Sequence, residues 1–336
     1  MIDLANISSK YIFFYLSLIL VNILILLFIP KLSKKFNFYD FPNERKLHFN
    51  PTSYLGGIFF FISNFFYIFF FQNNFFESHN LLLNWSNIFS LIFISSFIFL
   101  LGLLDDKYDI PALKKSVILI ILISSAVLID EKVLIKTLNF EIFEKTLTLK
   151  NFSLFFTILC IYLFINACNM YDGADLQLGT YFLIILFYLY FKTGYFHILS
   201  PILIPLIFFL FKNFKQASFL GNNGSHFLSY IIAIIIIKFY NSKFFISTEE
   251  IIIIMLVPGL DCARLFFYRI SKNKKFFESD LNHIHHILGK KYKKYNVQFI
   301  IILLTISPII IGELFNSYFL GIISGTIFYF LSIIKK

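Results

Sequence analysis

The chain is built from long apolar runs separated by short polar breaks, and the runs dominate. They lie near residues 11–30, 55–72, 87–104, 116–130, 153–168, 178–193, 195–211, 226–241, 249–270, 298–313 and 316–334. A bilayer core of about 30 Å takes about 20 helical residues, somewhat fewer where flanking charges snorkel. The pattern predicts ten or eleven membrane helices; the divisions inside 178–211 and 298–334 rest on the short breaks KTGY and ELFN. One break, EKVLIKTLNFEIFEKTLTLKN, has Leu138, Phe140 and Ile142 alternating with Asn139 and Glu141, a period of two that predicts a short β-hairpin. No half of the chain repeats the other and no soluble domain separates out. The fold class is therefore all-α and polytopic, one membrane domain over 1–336.

Composition strengthens this reading. Of 336 residues, 58% are hydrophobic and 14% charged, with a mean hydropathy of +0.79, so there is too little polar surface to coat a globule. The 49 Phe and runs such as IIAIIII and EEIIIIM fit lipid-facing helices. Cys160, Cys168 and Cys262 lack the spacing of a zinc or redox motif and read as packing residues. The run Tyr11 to Pro30 has neither a basic leader nor a small-residue cleavage site, so it reads as a retained span.

A net charge of +10 raises the question of nucleic acid, but distribution answers it. Most of the 29 Lys and Arg fall in alternate breaks: 31–54, 105–115, 212–225, 269–297 and the C-terminal tail. The positive-inside rule makes these breaks cytoplasmic, with the N-terminus outside and the C-terminus inside. This is the arrangement of a multi-pass membrane protein with a basic cytoplasmic face, and no nucleic-acid partner is expected.

The polar clusters gather on that same face. In DFPNERKLHFNPTSYLGGI, Arg45, Lys46 and His48 precede the Gly56-Gly57 pair that opens the second span, suiting an anionic phosphate or a plain positive-inside loop. In LLGLLDDKYDIPALKK an apolar run meets Asp105 and Asp106, then Lys114 and Lys115. Adjacent carboxylates repel and call for a divalent cation, a shared proton or a solvated helix end. In NACNMYDGADLQLG, Asn166, Asn169, Asp172 and Asp175 recur every three residues, which on a helix would line one face; a hard-cation or substrate site is the sharper reading and a helix cap the blander one. FLGNNGSHFLSY reads as a Gly-bracketed turn. PGLDCARLFFYRI with FFESDLNHIHHIL crowds Asp261, Arg264, Arg269, Asp280, His283, His285 and His286 together, favouring phosphate contact over zinc because no Cys adjoins the histidines and basic residues surround the cluster. Together these describe one site holding carboxylates for a metal and cations for phosphates, at the mouth of a helical bundle.

The order of RKLH with PTSYLGG, GLLDDKYDIPALKK, NACNMYDGAD, FLGNNGS, PGLDCARLFFYRI and SDLNHIHHIL resembles the polyprenyl-phosphate N-acetylhexosamine-1-phosphate transferase superfamily, over residues 40 to 290. The HIHH element places it nearer the sugar-1-phosphate initiators than the pentapeptide transferases. The resemblance implies transfer of an N-acetylhexosamine-1-phosphate from a UDP-sugar to undecaprenyl or another polyprenyl phosphate. UMP is released and a lipid-linked glycan for the cell envelope is started, with Mg2+ required and Mn2+ as a substitute. It implies catalytic roles for Asp105 and Asp106, metal contacts from Asp172, Asp175 and Asn222, and substrate contacts from Arg45, Lys46, His48, Lys115, Asn166, Asn169, Arg264, His283, His285 and His286. Three positions depart from the family pattern. Its GDxG element reads Gly221-Asn222-Asn223-Gly224, Leu176-Gln177 follow the DGxD element, and Leu281 stands where an Arg is usual. A relative impaired by Asn222 is therefore one alternative and a transporter another, although a transporter would set its charges near the midplane.

Overall fold

The computed structural model describes residues 9–41, 51–72, 85–242, 246–273 and 282–334, so Arg45, Lys46, His48, Asp280 and Leu281 lie outside the described residues. The helices are α1 (Ser9–Phe36), α2 (Gly57–Gln72), α3 (Trp85–Tyr108), α4 (Ala112–Ile129), α5 (Ser153–Tyr171), α6 (Gln177–Thr193), α7 (Phe196–Phe214), α8 (Gly221–Asn241), α9 (Thr248–Ser271), the short α10 (Ile284–Gly289), α11 (Lys294–Leu314) and α12 (Tyr318–Ile333). Each of the eleven apolar runs coincides with a helix. Among the described residues, seven of these are long and apolar enough to cross a membrane, and two more are shorter and apolar.

Among the described residues four short strands accompany the helices. β1 (Tyr39–Asp40) pairs antiparallel with β2 (Thr52–Ser53). β3 (Thr137–Phe140) pairs with β4 (Lys145–Thr148) in the register Thr137↔Thr148 to Phe140↔Lys145, which is the hairpin expected from the period-two stretch.

The helices begin and end for local reasons. α9 carries a capping box: Ser247 Oγ accepts from the Glu250 amide at 3.3 Å and Glu250 returns its carboxylate to the Ser247 amide, satisfying two donors that a helix start leaves open. α6 ends at Gly194 with φ +72°, a left-handed conformation that a residue without Cβ adopts freely.

α8 is the axis of the bundle. It packs against α2, α3 and α5, and its apolar window is buried throughout. The run IIAIIII is thus core and lies out of reach of lipid, contrary to the expectation from its hydropathy; Ile231 to Ile237 are all buried. In EEIIIIM, Glu249, Glu250, Ile253 and Ile254 are likewise buried. An all-apolar helix suits protein neighbours and lipid equally, so hydropathy cannot tell the two apart. The lipid-facing surface lies instead on helices such as α1, where Leu16, Leu20, Leu27 and Phe28 are exposed.

One end of α8 is stitched to the segment that leads into α2. The Phe219 amide donates to the Ser53 carbonyl at 2.7 Å and the Gly56 amide to the Phe219 carbonyl at 3.0 Å. Towards the other end, 17 residues on from Gly221 and so about 25 Å away, Lys238 forms a buried 2.6 Å ion pair with Asp130.

Candidate active site

The last turn of α3 delivers Asp105 and Asp106 to the first turn of α8. Asp106 accepts from the backbone amides of Asn222 (2.8 Å) and Asn223 (3.0 Å) and from Asn223 Nδ2 (2.7 Å). A helix start has unsatisfied N–H groups and a positive dipole end, so Asp106 caps α8 from another element. Gly221, at φ +71°, turns the chain into that position. Asn223 Nδ2 also reaches the Tyr54 carbonyl at 2.7 Å, tying the segment before α2 into the same knot. The NNG stretch is therefore the first turn of α8 and no separate loop.

Asp105, buried at 5% exposure, accepts from Lys115 Nζ at 2.7 Å and Asn222 Nδ2 at 2.8 Å through one oxygen, and from the Ile110 amide at 3.1 Å through the other. Asn222 hands the network on: its Oδ1 accepts from Asn169 Nδ2 at 2.7 Å, and Asn169 also donates to Ser225 Oγ at 2.9 Å. Asn166 donates to the Tyr162 carbonyl at 2.8 Å, inside its own helix.

The four-residue ladder expected along one helix face divides. α5 stops at Tyr171, Asp172 is its C-cap, and Asp175 belongs to the following turn. Leu176, at φ 68°, redirects the chain there, so only Asn166 and Asn169 keep helical spacing. Asp175 is turned aside, bonded to Gln216 Nε2 at 3.0 Å and to Lys294 Nζ. It lines a cavity of about 280 Å³ with Phe214, Lys215, Tyr295 and Gln298.

Among the described residues Asp172 has no such partner. Burial, then the charges of Asp106 and Asp175, push its carboxyl up to about 7. Like charges crowded without an internal cation are what a bound hard divalent ion relieves. The oxygens of Asp106 and Asp172 therefore suit magnesium, although among the described residues no group of three or more His, Cys, Asp or Glu side chains converges. Asn222 Oδ1 is engaged by Asn169.

The third component is the histidine loop. Asp261 on α9 is 2% exposed. It accepts from Arg264 Nη2 (2.7 Å), Tyr329 OH (2.8 Å) and the Ile284 amide (3.2 Å), and it contacts His283 Nδ1 at 3.3 Å. Arg264 Nη2 also donates to the Asn282 carbonyl, so this guanidinium is committed to shaping the loop. His283 stacks on His285 with ring centroids 5.6 Å apart, and His286 stands 4.2 Å from His285. His285 lies against Gly173: a Cβ there would fall 1.9 Å from its Cε1, so glycine is required for the two loops to meet. Burial and the neighbouring imidazoles push His285 down to about 3, keeping it neutral. Its Nδ1 has no hydrogen-bond partner among the described residues.

The site thus assembles Asp105, Asp106, Lys115, Asn169, Asn222, Asp172 and the histidines at one end of the bundle. The sequence reading missed Asn223, Lys294 and Tyr329. Asn223 was hidden inside a motif read as a turn, and Tyr329 is a single phenol in an apolar helix. The spacing of Gly321, Gly325 and Tyr329, four residues apart on one face of α12, is the signal that could have found it.

Within this helical bundle the model of Glycosyl transferase family 4 matches residues 88–240. The chain is 26% identical over 288 residues to the undecaprenyl-phosphate alpha-N-acetylglucosaminyl 1-phosphate transferase of Escherichia coli (strain K12), covering 81% of this chain and 75% of that one. It is 25% identical over 292 residues to the protein of that name from Thermotoga maritima, with 86% and 85% covered. It is 33% identical over 204 residues to the probable undecaprenyl-phosphate N-acetylglucosaminyl 1-phosphate transferase of Bacillus subtilis (strain 168), with 57% and 55% covered. The family model and these relatives support the polyprenyl-phosphate sugar-1-phosphate transferase family for this chain.

Proposed function

We propose that the protein transfers an N-acetylhexosamine-1-phosphate from a UDP-sugar to undecaprenyl phosphate, releasing UMP and starting a lipid-linked glycan of the cell envelope. The observation that carries this reading is the placement of Asp105 and Asp106 where the apolar run of α3 ends, locked to the start of α8 and facing the unpartnered Asp172. In the reaction an oxygen of the lipid phosphate bonds to the sugar-bearing phosphorus of the donor, and the bond from that phosphorus to UMP breaks. Both reactants are anions, and two unit charges at 4 Å repel by about 4 kcal/mol at an effective dielectric of 20.

The chain supplies part of the compensation. Lys115 neutralises Asp105 and, with Asn222, orients it. The loop that carries His283, His285 and His286 would meet the donor phosphates, and the Asp261–Arg264 pair fixes it. Magnesium, or manganese in its place, would be held by Asp106 and Asp172 and would supply the remaining charge stabilisation. The positive-inside distribution supports a cytoplasmic site, an outside N-terminus and a cytoplasmic C-terminus.

The test is UMP release by the purified protein in detergent with undecaprenyl phosphate, magnesium and single UDP-N-acetylhexosamines. Release that needs both lipid and metal supports the reading. Absence of release beside an active relative favours the impaired alternative, for which the engaged Asn222 Oδ1 is the specific observation.

A further inference from the structure

We propose that Tyr329, on the last helix, is a positioning residue for the histidine loop, acting through Asp261 and Arg264. The inference rests on the proposed function for its kinetic arm only. Tyr329 is fully buried, and a buried phenol needs partners for its hydroxyl. The hydroxyl accepts from Arg264 Nε at 3.0 Å and donates to Asp261 Oδ1 at 2.8 Å. The direction is unambiguous, because a guanidinium has no acceptor and a carboxylate no donor.

Both of these partners grip the loop. Asp261 holds the Ile284 amide and the His283 ring, and Arg264 holds the Asn282 carbonyl. The three consecutive residues 282, 283 and 284 are therefore attached to a carboxylate and a guanidinium whose mutual placement one phenol completes. Removing the hydroxyl leaves Arg264 Nε without that acceptor and withdraws one donor from Asp261.

The helix is shaped to deliver this group. Gly321, Gly325 and Tyr329 share one face of α12. A Cβ at Gly321 would stand 2.6 Å from the Pro308 carbonyl oxygen, and one at Gly325 would stand 2.5 Å from Leu256 Cδ2. The two glycines let α12 lie close against α9 and α11, so that the phenol one turn further on reaches Asp261.

The experiment compares full-length wild type with Tyr329→Phe, which keeps the ring and its packing. Carbethoxylation by diethyl pyrocarbonate is followed at His283 by peptide mass spectrometry, beside UMP-release kinetics and thermal unfolding in detergent. Expected are a several-fold faster modification of His283 and a rise of about tenfold in KM for the UDP-sugar, with KM for the lipid phosphate unchanged and the unfolding midpoint lowered no more than slightly. Unchanged labelling and donor KM would overturn the inference. So would a lowered midpoint with both KM values shifted together, because that pattern belongs to a merely structural tyrosine. Should wild type release no UMP with any donor, the proposed function falls, while the labelling comparison still decides the role of Tyr329.

Discussion

Asn222 Nδ2 donates to Asp105 Oδ2 at 2.8 Å while Asn222 Oδ1 accepts from Asn169 at 2.7 Å. The side chain that departs from the family pattern is thus a link between two polar residues of the site, and its amide is the atom group a carboxylate could not imitate. Asn222→Asp would remove the donor and set a third carboxylate beside Asp105 and Asp106. We expect the variant to unfold at a lower temperature in EDTA, and to reach half-maximal UMP release at a lower magnesium concentration than wild type. Magnesium titrations of rate and of unfolding midpoint check both halves.

Asp105→Asn should lower turnover by about 100-fold or more while the protein still inserts and folds, because the change preserves size and removes the charge that Lys115 pairs with. Lys115→Met should cost stability as well, since it leaves a buried carboxylate without its cation. Initial rates and detergent unfolding curves separate the two effects.

Gly173→Ala tests the contact between the two loops. The new methyl would occupy the place of the His285 ring, so the imidazole must move. The expected result is a rise of about tenfold in KM for the donor with little change in the unfolding midpoint. An unchanged KM would detach His285 from the donor.

At the far end of α8, Lys238→Met should destabilise by about 3–5 kcal/mol, the usual cost of stripping one partner from a buried ion pair. Replacing Asp130 by Leu in the same protein should recover most of the loss. Catalytic constants of the folded fraction should match wild type, since the pair lies about 25 Å along α8 from the residues that hold the carboxylates.

Much of this architecture was legible from the runs of apolar residues, because a bilayer imposes both length and hydropathy on whatever crosses it. Which face of each helix meets lipid was not legible: Ile231 to Ile237 read as a lipid-facing strip and are core. The Asp pair and the histidine loop stood out because charge beside an apolar run is costly unless used. Even so, periodicity misplaced Asp172 and Asp175 by extending α5 past its end at Tyr171. Residues that act by tying other side chains together, such as Asn223 and Tyr329, carry no signal of their own in a single sequence. Their importance arises only when helices distant along the chain meet.

The enclosure of α8 has a further consequence for how the protein tolerates change. A helix with one lipid face offers a permissive stripe, a set of positions every three or four residues where any apolar side chain serves. Along α1 a saturation scan should reveal such a stripe through Leu16, Leu20 and Leu27. Along α8 it should reveal none, because every direction around its circumference is occupied by protein. The helix that anchors the carboxylates would then be the segment with the least freedom to drift, however uniform its isoleucines look.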